Sequence, residues 1–176
     1  MKSYSDITAA LLKKDKTFEE IVSSPKGDIV PTPSVDIYFY LLNSIVSQQL
    51  SVKVADVIWN RFLDLFPERY PYEDEVLNKS DEDLRAVGLS FQKLGFMRNV
   101  ANFSKSEGMA FESIGEFSDD EVIEYLTQIK GVGKWTVQMV LMFPMDRPDV
   151  FPVDDLGVQT KMKRFYNLTS EKKELK

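Results

Sequence analysis

The stretch LTQIKGVGKWTVQMVLMF, residues 126–143, decides how the chain reads. A helical run meets Gly131-Val132-Gly133, and a second starts at once near Lys134 and stops at Phe143, before Pro144. Glycine lacks a Cβ and enters positive φ freely, so two of them permit a tight turn between helices. In such a turn the main-chain N–H groups and the N-terminus of the second helix point outward together. They make an anion site that needs little side-chain charge. Lys134 adds a cation beside it. The same spacing also suits an ordinary αα-hairpin with glycines as punctuation. Gly-x-Gly between two helices, rather than after a strand, argues against a dinucleotide fold.

Working outward, Ser118 with Glu121 predicts a capping box before Val122, Ile123, Tyr125, Leu126 and Ile129. The hairpin therefore spans about residues 118–143. Downstream lies VFPVDDLGVQTKMKRF, residues 150–165, where Pro152 stiffens the entry and Asp154-Asp155 stands at a helix start. One carboxylate is expected to cap that helix while the other faces a cleft as an anion favoured by the helix dipole; the alternative is that both only cap. Upstream, SIVSQQLSVKVADVIWNRF, residues 44–62, sets Gln48 and Gln49 side by side between apolar helical stretches. They read as a break between helices, or as polar residues bonded to nearby backbone.

The rest is helical in period. Ile7, Ala10 and Leu11 share a helix face, and Thr17 with Glu20 fits a capping box before Ile21 and Val22. Pro25, Gly27, Pro31 and Pro33 mark 23–34 as loop. Val35, Tyr38, Phe39, Leu42, Ile45 and Val46 mark a buried helix. Ser51 caps the next, with Val54, Ile58, Phe62 and Leu65 inward, and Phe66-Pro67 ends it. Residues 67–79 read as loop. Ser80 with Asp83 predicts another capping box, at the start of a short helix ended by Gly88; Ser90 opens another through about Phe103, and the helix after Asp155 ends near Tyr166. No segment alternates at period two over a strand's length, and no internal repeat or low-complexity tract is present.

Composition narrows the chemistry. The 176 residues fit one large domain or two small intimate lobes, and 43% are hydrophobic. No apolar run reaches membrane-spanning length, and MKSYSDITAALLKKDK is too charged for a secretory signal, so an intracellular protein is expected. There is no cysteine and no histidine. Disulfides, thiolate nucleophiles, cysteine-held zinc and iron–sulfur clusters are excluded, and so is imidazole acid–base work. Chemistry must rest on carboxylates, lysines, tyrosines or hydroxyls. The net charge of −6 counts against nucleic acid as a partner unless a local face departs from the average.

Four segments, SIVSQQLS at 44–51, GLSFQKLGFMRNVA at 88–101, LTQIKGVGKWT at 126–136 and FPVDDLG at 151–157, resemble those of the helix-hairpin-helix (HhH-GPD) DNA glycosylase superfamily, in that family's order. Within it the similarity is to the DNA-3-methyladenine glycosylase II branch. The resemblance covers roughly residues 35–168 and implies an all-α, two-lobed fold with a central cleft, built as a single domain over residues 1–176. The target nucleotide would be flipped into that cleft.

The resemblance also assigns roles. Asp155 is the catalytic aspartate, leaving Asp154 as the structural cap. Gln49 falls where this branch inserts a residue into the DNA stack, and Leu50 is the neighbouring candidate for that wedge. Gly131, Val132, Gly133 and Lys134 fall on the phosphate-gripping hairpin. No cofactor is required, but main-chain carbonyls of Thr127, Ile129 and Gly131 are implicated in holding a structural sodium or potassium ion. Trp135 stands two residues after the second glycine, where lyase-active relatives carry a Schiff-base lysine. Monofunctional base removal is therefore implied, with Trp135 lining the base pocket, an electron-rich ring for a cationic base. A core tryptophan is the alternative. The implied partner is double-stranded DNA with alkylated bases, bound by a monomer without membrane or protein partner. Candidate lesions include 3-methyladenine, 7-methylguanine and hypoxanthine. Other functions compatible with the hairpin are a non-catalytic DNA-binding or damage-sensing protein and a helical protein-interaction module. Members of the family usually continue into a helix with a Trp-x-Pro-Tyr-Arg-like stretch. This chain stops at LTSEKKELK, which implies a shortened form or a missing last helix.

Overall fold

The computed structural model describes residues 4–19 and 36–168. Among them are ten α-helices, one 3-10 turn and no strand. The helices are α1 Tyr4–Lys14, α2 Ile37–Ser47, α3 Val52–Leu63, α4 Glu73–Asn78, α5 Asp81–Ala86, α6 Phe91–Glu107, α7 Phe111–Ile114, α8 Asp119–Thr127, α9 Lys134–Met142 and α10 Leu156–Tyr166. The 3-10 turn is Pro67–Arg69. No described helix is long and apolar enough to cross a membrane. Backbone contacts divide the chain into two units, Thr32–Phe151, and Met1–Pro31 with Pro152–Lys176.

In the larger unit α2 is the central post. Ile37, Tyr38, Leu41, Leu42, Ile45 and Val46 are all buried, covering most of its circumference. It packs on α3, α6 and α9, while α6 also packs on α4 and α5. Each fully buried aliphatic or aromatic side chain contributes roughly 1.5–3 kcal/mol relative to exposure. Asp36, not singled out in the sequence, caps α2 by accepting the Phe39 N–H at 2.8 Å and also accepts the Tyr70 hydroxyl at 2.8 Å. Burial pushes the Tyr70 phenol up to a range where it stays protonated and donates.

Three expectations need correcting. Residues 67–79 are not all loop: after the 3-10 turn, α4 forms at Glu73–Asn78. Glu73, Asp74 and Glu75 suit the positive end of a helix, and Val76 pins it to the core. The inward face of α3 is Ala55, Phe62 and Leu63, with Ile58 and Trp59 partly covered, whereas Val54 is 46% exposed. Val54 lies about 100° round the helix from Ala55, on the side away from Leu63, and so off this face. Helix α6 runs to Glu107, past Phe103, and stops at Gly108, whose φ is +85°. Ser80, Ser90 and Ser118 each cap a helix by accepting a first-turn N–H; the capping box expected at Ser118 with Glu121 is complete, whereas at Ser80 the structure shows only the bond from the Asp83 N–H. Ser51 is the N-cap of α3 without a side-chain bond. Thr17 donates its N–H to Asp15 Oδ1; Glu20, the loop at 23–34 and Val35 lie outside the described residues.

Arg147, just beyond α9, ties down the entry to α8. Its guanidinium donates to Asp119 Oδ1 at 2.6 Å, Phe117 O at 2.6 Å and Gly115 O at 3.0 Å. Charged hydrogen bonds contribute roughly 1.5–3 kcal/mol when their removal strands a partner. Because Asp119 is partly exposed, Arg147→Met is expected at the lower end, about 1.5 kcal/mol by urea denaturation. An unchanged midpoint would mean the three bonds add nothing over solvation.

In the smaller unit, α1 ends in Lys13 and Lys14, and the Tyr166 hydroxyl at the end of α10 donates to Asp15 Oδ2. That bond holds the Asp15 carboxyl below its ordinary value.

Candidate functional site

The hairpin forms because each of its ends is locally specified. Ser118 Oγ accepts the Glu121 N–H while the Glu121 carboxylate accepts the Ser118 N–H at 2.7 Å, so α8 starts with a complete capping box. At its other end the Ile129 N–H donates to Leu126 O, and the Val132 N–H donates to Ile129 O at 2.9 Å. Gly131 turns the chain with φ +107°, and a Cβ there would lie 2.2 Å from Phe96 Cγ. Only this glycine takes the positive φ expected of both. Gly133 is extended, φ −96° and ψ 168°, because it is the N-cap of α9. With no side chain at Gly133, no N-cap bond competes for the amides of the first turn of α9. Lys130, Gly133 and Lys134 are exposed, whereas the Val132 side chain is buried, so Val132 can offer a ligand only its main chain.

The Gln48-Gln49 pair is a turn, as the sequence suggests. Gln48 C-caps α2, donating its N–H to Ser44 O and Ile45 O. Gln49 is exposed with φ +58°, a left-handed conformation that costs an ordinary residue about 1 kcal/mol. Leu50 beside it is 37% exposed. The Gln48 side-chain amide donates to Gly131 O at 3.4 Å, which brings this turn against the hairpin.

Beside the Gln48-Gln49 turn, between α2 and α9, opens a cavity of about 460 Å³. Tyr40, Asn43, Ser44 and Ser47 of α2, Gln48 and Gln49 of the turn, and Trp135 and Met139 of α9 line it. Trp135 is 44% exposed, so it is a wall of this cavity and not a core tryptophan. Burial raises the Tyr40 phenol above its ordinary value, which keeps it neutral. Two aromatic residues and a rim of amides and hydroxyls can take a flat, polar-edged ring.

Asp155 belongs to the smaller unit. It is the N-cap of α10, its Oδ1 accepting the Val158 N–H at 2.9 Å, and it is half-buried. This corrects the division of labour between the two aspartates: Asp155 is itself the cap, and Asp154 is exposed in the preceding turn. The backbone enters α10 at Asp155, so only its carboxylate reaches the third amide. Gly157 leaves room for that carboxylate, since a Cβ there would stand 3.0 Å from Asp155 Oδ1. A helix N-terminus is a place that favours an anion.

Sequence reasoning missed Tyr40, Lys93, Asn99 and Gly157. Lys93 carried a signal. It is the third residue of α6, where the helix dipole disfavours a cation, unless its ammonium is used elsewhere.

The family model for the HhH-GPD superfamily of base excision DNA repair proteins matches residues 42–176. The chain belongs to that superfamily. It is 36% identical over 133 residues to DNA-3-methyladenine glycosylase 1 of Schizosaccharomyces pombe, covering 74% of this chain and 58% of that one. Among solved structures, DNA-3-methyladenine glycosidase from Bacillus halodurans superposes with a TM-score of 0.82 at 32% identity, covering 96% of this chain and 77% of that one. The Schizosaccharomyces pombe 3-methyladenine DNA glycosylase in complex with abasic DNA gives 0.74 at 30% identity, covering 88% and 75%. The HhH-GPD chain spans about half the length of the curated relatives it matches.

Proposed function

We propose that this chain is a monofunctional DNA glycosylase that hydrolyses the N-glycosidic bond of alkylated purines of the 3-methyladenine type in duplex DNA and leaves an abasic site. The observation that carries the proposal is the cavity walled by Tyr40 and Trp135, which opens between the Gln49 turn and the N-terminus of α9. A purine alkylated at N3 or N7 is a flat cation, and an electron-rich ring attracts it. The hairpin amides and Lys134 hold a backbone phosphate, and Gln49, with Leu50 beside it, fills the gap left by the flipped base.

The chemistry asks little of acid catalysis. The leaving base already carries positive charge, so the C1′–N bond breaks with its electron pair going to the base. This agrees with a chain without histidine. The sugar becomes an oxocarbenium-like cation, which the Asp155 carboxylate stabilises. Water then adds at C1′ and gives up a proton to that carboxylate or to solvent. Trp135 offers no amine, so no Schiff base forms and the strand stays intact.

No cofactor takes part. The carbonyls of Thr127, Ile129 and Gly131 suit a sodium or potassium ion, since they are neutral oxygens. Ile129 O and Gly131 O each accept one protein hydrogen bond and keep a second lone pair. Such an ion would supply charge at the phosphate and nothing more. The protein would work inside the cell as a monomer on DNA.

Base release from methylated duplex DNA tests the reading, with nicks scored before and after alkali and a parallel reaction in borohydride. The expected result is free 3-methyladenine, nicks after alkali alone, and no borohydride-trapped adduct. Nicks without alkali together with a trapped adduct would overturn the monofunctional assignment. Tight binding without any base release would make the protein a damage sensor.

A further inference from the structure

We infer that Lys93 is a positioning residue that holds the Gln48-Gln49 turn in register with the hairpin, so that wedge and phosphate grip meet one duplex together. The inference rests on the proposed wedge role of Gln49. The Lys93 ammonium donates to Val46 O at 2.7 Å and Gln48 O at 2.9 Å. These are carbonyls at the end of α2, where the last turn has no intrahelical donor and the dipole favours a cation. The charge lies in the first turn of α6 but is spent at the C-terminus of another helix. Two bonds from one centre bracket residue 47 and fix the direction in which the chain enters Gln49, which is left-handed at φ +58°. Partial burial lowers the ammonium below its ordinary value.

The same helix holds the hairpin. Phe96 packs against Gly131 so closely that no Cβ fits there, and Asn99 Nδ2 donates to Lys130 O at 3.0 Å. Lys93, Phe96 and Asn99 recur every three residues and share a face of α6. That face touches the wedge turn at one end and the hairpin turn at the other. The Gln48 amide on Gly131 O closes the circuit at 3.4 Å, too long a bond to set the spacing alone. Lys93 supplies the remaining constraint.

A double-mutant cycle tests this. Affinity is measured for a duplex with one tetrahydrofuran abasic-site analogue and for the same duplex undamaged, with wild type, Lys93→Met, Gln49→Ala, the pair combined, and Lys93→Arg. Gln49→Ala and Lys93→Met should each weaken the abasic complex about ten-fold while undamaged duplex is held within two-fold. The combined variant should be no weaker than Gln49→Ala alone, and Lys93→Arg should recover most of the loss. If Lys93→Met does not fold, Lys93→Gln, whose amide reaches one carbonyl, takes its place with a loss near three-fold. Additive losses near a hundred-fold would overturn the inference, because Lys93 would then act apart from Gln49. Equal weakening on both duplexes would overturn it too, by making Lys93 part of the general grip or the fold. A silent Gln49→Ala would remove the wedge reading and this inference with it. A silent Lys93→Met beside an impaired Gln49→Ala would remove only the inference.

Discussion

Asp155→Asn should fold, lose no more than about 1 kcal/mol of stability, and lose about 10²–10³-fold in the rate of base release. The two halves of that expectation have separate causes. As N-cap of α10, the side chain needs an oxygen for the Val158 N–H, and asparagine caps as well as aspartate. Loss of the charge at a helix start removes only about 0.3–1 kcal/mol of dipole interaction. In the proposed reaction, by contrast, the full negative charge would face a sugar cation, and a neutral amide could not replace it. Asp155→Ala should add a loss of stability of about 1 kcal/mol, because the cap goes as well. Single-turnover rates with thermal melts on both variants separate cap from catalyst. If Asp155→Asn kept parental rates, the aspartate would be a cap alone, and the catalytic carboxylate would have to be sought elsewhere.

Gly131→Ala should destabilise the larger unit by about 3 kcal/mol or more, while Gly133→Ala should cost about 1 kcal/mol or less. At φ +107° any side chain is strained, and the added Cβ would stand 2.2 Å from Phe96 Cγ and 2.5 Å from its Cδ1. The ring must move, and α6 with it. Gly133 has a negative φ and open space around its missing Cβ. A drop in melting temperature of about 10 °C is expected for Gly131→Ala, with hairpin-dependent DNA affinity falling in the fraction that still folds. Equal effects at the two positions would mean that the hairpin is held by something other than this contact.

Much of the fold was legible where the signal is local. The caps at Ser80, Ser90 and Ser118, the break at Gln48-Gln49 and the turn at 131–133 are each written within a few residues, and each stands where the sequence puts it. Helix α4 was not legible, because a six-residue acidic segment with one buried valine has no periodicity to read. Val54 misled because its spacing with Ile58 and Phe62 looks like one inward stripe, although a four-residue step drifts about 40° each time and carries Val54 off the buried face. The pocket was half legible. Trp135 is flagged by its place after the glycines, but Tyr40 reaches the same cavity from a helix far upstream, looking in sequence like any other residue of a buried helix. Lys93 is the same kind of case, since its partners Val46 and Gln48 are main-chain atoms that leave no mark in composition.

Helix α9 is N-capped by a residue with no side chain, Gly133, so a grip built there would draw chiefly on the backbone, with Lys134 beside it. The dipole of a helix end stays in place whatever the net charge of the chain, which here is −6. On the proposed function, the acidic balance would repel a polyanion wherever no helix end is offered, and few condensed ions would be displaced on contact. Such a protein would dwell briefly on ordinary DNA and leave readily. It would search by many short visits, and lingering would be reserved for places where a base yields.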